Sequence, residues 1–153
     1  MLTDTLRQLF RRDLHRLHQE ITQYHHEENL WLTAPGIANP AGNLCLHLVG
    51  NLKTYIGAEL GGVAYTRQRD LEFSAKHVPR AELLRQLTET TQLVDHTLRH
   101  LPASRLAQEY PLLIFEEKTS TEYFLVHLAT HLAYHLGQVN YHRRLLDAQP
   151  AKQ

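Results

Sequence analysis

The sequence predicts an all-α protein, a four-helix bundle. Three observations predict it. Four stretches repeat apolar residues at three- and four-residue steps, the period of a helix with one buried face. Breaks containing proline and glycine separate these stretches. Two of the connections are long enough to cross the outside of a bundle. A single domain over residues 1–153 is expected, with enough chain for a substantial core.

The first helix is expected from a cap at Thr3 or Asp4 to about residue 28, with Leu6, Phe10, Leu14, Leu17, Ile21 and Tyr24 as its apolar stripe. Arg11, Arg12 and Arg16 cluster on it, but Asp13 and Glu20 interrupt the run, as on a solvated face. Pro35, Gly36, Asn39 and Pro40 then break the chain, and Asn39-Pro40 reads as an N-cap followed by proline at the first helical position. The second helix is expected over about 40–60. Leu44, Leu48, Leu52 and Tyr55/Ile56 form its stripe, His47, Asn51 and Thr54 lie along the flank, and Gly61-Gly62 ends it. Residues 61–77 make a long connection carrying Arg67, Arg69, Asp70, Glu72 and Phe73, of a length that is usually functional or crosses a bundle. Val78-Pro79 opens the third helix, whose stripe is Leu84, Leu87, Thr91, Val94, Leu98 and Leu101, and Pro102 ends it. Residues 102–118 read as irregular, with Tyr110–Phe115 as an extended apolar segment over one end of the core. Thr119-Ser-Thr-Glu122 reads as a capping box for a fourth helix running to about 147.

Composition narrows the function. The 16 Lys and Arg balance 16 Asp and Glu, so the basic excess of a nucleic-acid binder is missing. Cys45 is the sole cysteine, which rules out an internal disulfide and a thiolate-rich zinc site and leaves it as a small core hydrophobe. No apolar run approaches the roughly 20 residues of a membrane span. The first residues lack the apolar core of a signal peptide, and Asp4 and Asp13 argue against an organellar transit peptide. The expectation is a cytoplasmic protein with neither membrane nor nucleic-acid partner. Ser-His-Asp, phosphate-loop and paired-carboxylate patterns are not found.

Histidine is the unusual residue, at 12 of 153. His127, His131 and His135 fall four apart on the fourth helix, flanked on the same face by Phe124, Leu128, Gln138 and His142. Positions four apart lie about 40° from each other on a helix, one turn up, so two such imidazoles can reach one metal ion. His127 and His135 are about 12 Å apart along the axis and cannot share an ion. The helical pair is therefore His127/His131 or His131/His135, and His47 on the second helix offers a third ligand. Three histidines with an open position fit zinc, nickel or iron by ligand type.

The stretches Asn43-Leu-Cys-Leu-His47-Leu-Val-Gly-Asn51-Leu, Gly61-Gly62, Arg67-Gln-Arg-Asp70, Glu72-Phe73 and His131-Leu-Ala-Tyr-His135-Leu-Gly-Gln-Val-Asn-Tyr-His-Arg-Arg-Leu resemble the DinB/YfiT-like metalloenzyme superfamily, in its uncharacterised DinB-like bacterial branch. The resemblance covers most of the chain. It implies a four-helix bundle of up-down-down-up topology, often a homodimer. It also implies a divalent metal, zinc or nickel among those seen, on residues matching His47, His131 and His135, with Gly137-Gln138 after His135 selecting the second helical pair. Characterised relatives include S-transferases that use a low-molecular-weight thiol against a small electrophilic substrate. The expectation is thus a metal-dependent thiol S-transferase, and the alternative is a non-catalytic metal-binding or stress-associated small-molecule-binding dimer.

Asn51 and Tyr55, one and two turns beyond His47, are candidates for the pocket, as is His127, and Gln138 for orienting a ligand. His142 with Arg143-Arg144 would complement the helix dipole or meet a substrate carboxylate. His25, His26 and His100 read as surface residues.

Overall fold

The computed structural model of the chain describes residues 1–148. These are all-helical, with no β-strand among them. The long helices are α1 (Leu2–Thr22), α2 (Ala41–Leu52), α4 (Arg80–His100) and α6 (Thr121–Leu146), and two short ones, α3 (Arg69–Ser74) and α5 (Ala103–Leu106), lie in the long connections. α1 packs on α4 and α6, and α2 packs on the same two helices and on α3. The core forms where the predicted stripes meet. Leu6, Phe10, Leu14, Leu17, Ile21 and Tyr24 are all buried, as are Leu44, Leu48, Leu52 and Ile56. On α4 the buried face is Leu83, Leu87, Thr90, Val94, Thr97 and Leu98, one step from part of the expected stripe, leaving Leu84, Thr91 and Leu101 half-buried. No helix among the described residues is long and apolar enough to cross a membrane.

Several boundaries differ from expectation for physical reasons. α1 starts at Leu2 without a side-chain cap, and Asp4 sits in its first turn, where a negative charge suits the helix dipole. It stops at Thr22 rather than near 28, because the chain beyond finds tertiary partners. The backbone N–H groups of His25 and His26 donate to Asp147 at 2.5 and 3.2 Å, and Asn29 Nδ2 donates to the same carboxylate at 2.8 Å. Burial would raise the Asp147 carboxyl, but these donors hold it below the ordinary range. A separate 3-10 turn, Glu27–Trp31, follows. Pro40 itself occupies the cap position of α2, not the first helical one.

The second predicted helix is continuous only to Leu52. Lys53–Ala58 is a π turn, marked by the Glu59 N–H bonding to Thr54 O at 3.1 Å and the Gly61 N–H to Ile56 O at 3.0 Å. Gly62, at φ +66°, ends the segment in the left-handed region. Ser120, not Thr119, caps α6 by accepting from the Tyr123 N–H at 3.1 Å, so Glu122 does not close a box. The expected extended segment covers the core only at its ends. Tyr110 is buried and donates to Tyr55 O at 2.7 Å, and Phe115 is half-buried, whereas Leu113 is exposed.

The basic cluster of α1 is solvated and locally paired: Arg12 bonds Asp13 at 2.8 and 3.0 Å. His25, His26 and His100 are exposed. Cys45 is fully buried, and burial pushes its thiol up to about 12. Both ring nitrogens of His142 are taken up inside the protein. The ring is buried between Tyr24 Oη at 2.7 Å and Leu32 O at 2.8 Å, joining α6 to the chain just after α1 and to the chain after the 3-10 turn. Its Nε2–H donates to Leu32 O, so Nδ1 accepts from Tyr24. Arg143 pairs with Glu20 at 2.6 Å.

Burial lowers the His142 pKa, outweighing the Leu32 bond and the Asp147 charge that act the other way. The folded chain therefore holds a neutral ring, and the unfolded chain takes the proton first as the pH falls. This contribution to stability is complete above the ordinary imidazole value of about 6.5 and is lost as the pH drops through it toward the lower folded value. Urea midpoints of the metal-free protein are expected to fall from neutral toward mildly acidic pH. His142→Ala should cost ~2–4 kcal/mol at neutral pH and reduce that slope, to which His131 and His135, also with lowered values, contribute. An unchanged slope would show that His142 contributes nothing to the pH dependence.

Candidate metal centre

His47 lies on the buried side of α2, and His131 and His135 lie one turn apart on the half-buried face of α6. The packing of α2 against α6 brings the three rings together. His47 Nε2 and His131 Nε2 are 3.3 Å apart, His131 Nε2 and His135 Nε2 3.1 Å, and one nitrogen from each ring lies within 4.8 Å of the others. His127, one turn before His131 on α6, stays outside this set: its ring is 6.0 Å from that of His131 and packs edge-on against Phe115 at 4.8 Å.

The outer nitrogens fix which inner nitrogens carry lone pairs. His47 Nδ1–H donates to Glu72 Oε1 at 3.0 Å, and His135 Nδ1–H donates to Gln138 Oε1 at 2.6 Å. Both rings, when neutral, then present an unprotonated Nε2 to the centre. His131 can supply at most one proton through Nε2, so at least one of the two short contacts is left without a hydrogen bond. Its Nδ1 is buried with no hydrogen-bond partner among the described residues. Burial first, then the neighbouring His135, His47 and His127, lower the His131 pKa to about 4. Burial also lowers that of His135, against the Gln138 bond. Protonation is therefore a poor solution to the crowding, and a cation is a good one. Three imidazole nitrogens within 4.8 Å of one another are the donor set of a divalent metal with open positions, so the residues fit such an ion.

Glu72 and Arg67 were not assigned a role from the sequence, and the structure places both against the site. Arg67 Nε and Nη2 reach the two Glu72 oxygens at 2.7 and 2.8 Å. Burial would raise the Glu72 carboxyl, but the bonds from Arg67 and His47 outweigh it and lower it. The signal was the charged 61–77 connection, too long for a plain link. Gly50 makes the arrangement possible, because a Cβ there would lie 2.8 Å from Glu72 Cδ. Phe73 adds a ring 5.0 Å from that of His47.

A cavity of about 450 Å³ opens beside two of the three rings, lined by His47 and His131 together with Asn51, Tyr55, Arg67 and His127 among others. Asn51, Tyr55 and His127 thus lie where a pocket was expected. The Tyr55 hydroxyl is 3.4 Å from Arg67 Nη1. Gln138 bonds His135 but borders a different cavity, beside Tyr141 and His142.

Ligand-orienting partners typically change metal affinity 10- to 100-fold when removed. Glu72→Gln is expected to weaken divalent-metal binding by about that factor with the helix content unchanged, and Gly50→Ala should act in the same direction by displacing Glu72. Titration against a competing chelator measures both. Wild-type affinity in Glu72→Gln would show that His47 does not depend on this carboxylate.

A search of curated proteins finds no match. A family model described as protein of unknown function (DUF1572) matches residues 2–152, nearly the whole chain, and that family is grouped in the DinB-like clan. The chain belongs to the DUF1572 family.

Proposed function

We propose that this protein is a divalent-metal-dependent enzyme of the DinB-like type, a thiol S-transferase that joins a low-molecular-weight thiol to a small electrophile. The four long helices are read as an up-down-down-up bundle, and two chains as a homodimer. The observation that carries the reading is the convergence of three imidazole nitrogens beside a cavity of about 450 Å³, two of them left unprotonated by the Nδ1 bonds of His47 to Glu72 and of His135 to Gln138.

His47, His131 and His135 would hold the ion, with zinc or nickel favoured and iron compatible with the same ligands. Such an ion supplies the Lewis acidity that keeps a bound thiol deprotonated at neutral pH. The chain's own residues do the rest. Glu72 and Gln138 fix the tautomers and ring orientations of His47 and His135. Phe124 and Leu128 on α6, with Leu113 and Ile114 from the connection before it, give the cavity an apolar wall for the electrophile. The thiol sulfur forms a bond to the electrophilic carbon, the leaving group departs with its bonding pair, and the thiol proton goes to solvent. Cys45, buried and weakly acidic, takes no part.

Protein purified without a histidine tag should carry metal near one equivalent per chain, and His131→Ala should lose it by elemental analysis. Metal retained in the His47→Ala/His131→Ala/His135→Ala triple variant would remove the site. A panel of small thiols with chloro- and epoxide-type electrophiles should give metal-dependent turnover. Stoichiometric metal with no turnover on any pair would favour the non-catalytic binding dimer, and a monomer mass by solution scattering at micromolar concentration would remove the dimer.

A further inference from the structure

The cavity beside His47 and His131 carries two polar groups without partners, and they say what its occupant must bring. Asn51 is 7% exposed, one turn beyond His47 on α2, and its Oδ1 accepts no hydrogen bond among the described residues. A buried amide oxygen left unpaired is rare, because desolvating it without a donor is unfavourable. Arg69 lines the same cavity from the first position of α3. Its neighbour Arg67 is committed to both oxygens of Glu72 at 2.7 and 2.8 Å, whereas Arg69 holds no carboxylate among the described residues. A guanidinium free on a cavity wall suits a carboxylate, which it can grip with two parallel N–H bonds.

We propose that the cavity selects a small organic anion that also carries a hydrogen-bond donor: Arg69 pairs with its carboxylate, and Asn51 Oδ1 accepts from its amide N–H or hydroxyl. This rests on the reading of the three imidazoles as the reactive end of the same cavity. Combined with it, the ligand class is a carboxylate-bearing thiol with an amide or hydroxyl between its two ends, of the N-acylated amino-acid type. Arg69 and Asn51 are specificity-determining residues. Neither is a metal ligand. Leu113, Ile114 and Phe124 supply an apolar side to the same cavity, for the carbon skeleton of the ligand.

Three matched probes test this on cobalt-loaded protein: N-acetyl-L-cysteine, its carboxamide, and 3-mercaptopropionate. Calorimetry reads affinity and the cobalt absorption spectrum reads sulfur at the metal. N-acetyl-L-cysteine is expected to bind about tenfold more tightly than its carboxamide, the usual effect of a charge-assisted bond. Arg69→Ala should erase that preference and Arg69→Lys should keep part of it. Asn51→Leu should erase the advantage of N-acetyl-L-cysteine over 3-mercaptopropionate, which lacks the amide, without touching the acid-over-carboxamide preference. If the acid still binds more tightly while the cobalt spectrum stays unchanged, the thiol reading falls and the anion site stands. If acid and carboxamide bind alike, if neither binds, or if Arg69→Ala keeps the preference, the anion site falls whatever the spectrum does.

Discussion

Glu72 is the group on which the site depends. Its carboxylate bonds His47 on one side and Arg67 on the other, so one residue both orients an imidazole and ties the 61–77 connection onto α2. The tie is reinforced from the backbone. Asn43 Nδ2 donates to Glu72 O and Ala75 O, each at 2.9 Å, and Lys76 Nζ donates to Asn43 Oδ1 at 2.5 Å. One face of α2, from Asn43 through His47 to Gly50, is therefore given over to holding this strap rather than to the apolar core. An ion pair this buried is unfavourable to desolvate unless every lone pair is used, and Glu72 uses both oxygens. The arrangement makes more sense as a device for positioning His47 than as a source of stability.

Much of this was legible in the sequence because it rests on periodicity. The apolar stripes of the first two helices follow helical steps that survive folding with little change, and the His-x3-His spacing needs only a straight helix to put two rings on one face. The placement of His47 followed from the same rule. What was not legible rests on tertiary competition. The first helix ends early because Asp147, some 120 residues on, captures the N–H groups of His25 and His26, and no local pattern announces that. The π turn after Leu52 is invisible to a periodicity argument, yet it puts Tyr55 on the cavity while Ile56 remains in the core. Glu72 and Arg67 lay in a connection without a regular period, where charged residues ordinarily mean solvent.

The histidines show how burial sorts one residue type into different tasks. His142, held between a hydroxyl and a carbonyl, has both nitrogens satisfied and acts as a structural cross-link. His47 and His135 each spend one nitrogen on a side-chain acceptor and turn the other toward the centre. His131 has no outer partner among the described residues and sits at the middle of the three, where burial and its neighbours make its ring hard to protonate. The difference lies in what faces the outer nitrogen, and that is decided by elements far away in the chain.

The burial of Cys45 has a practical corollary. Its sulfur is sealed in the core and holds its proton well above neutral pH, so a thiol-directed reagent reaches it only when α2 leaves its neighbours. As the single cysteine of the chain, it is a native clock for opening events: the rate at which it is labelled under native conditions reports how often the helix that carries His47 comes loose. An ion that bridges α2 to α6 would slow that clock, and it would do so without any engineered probe in the protein.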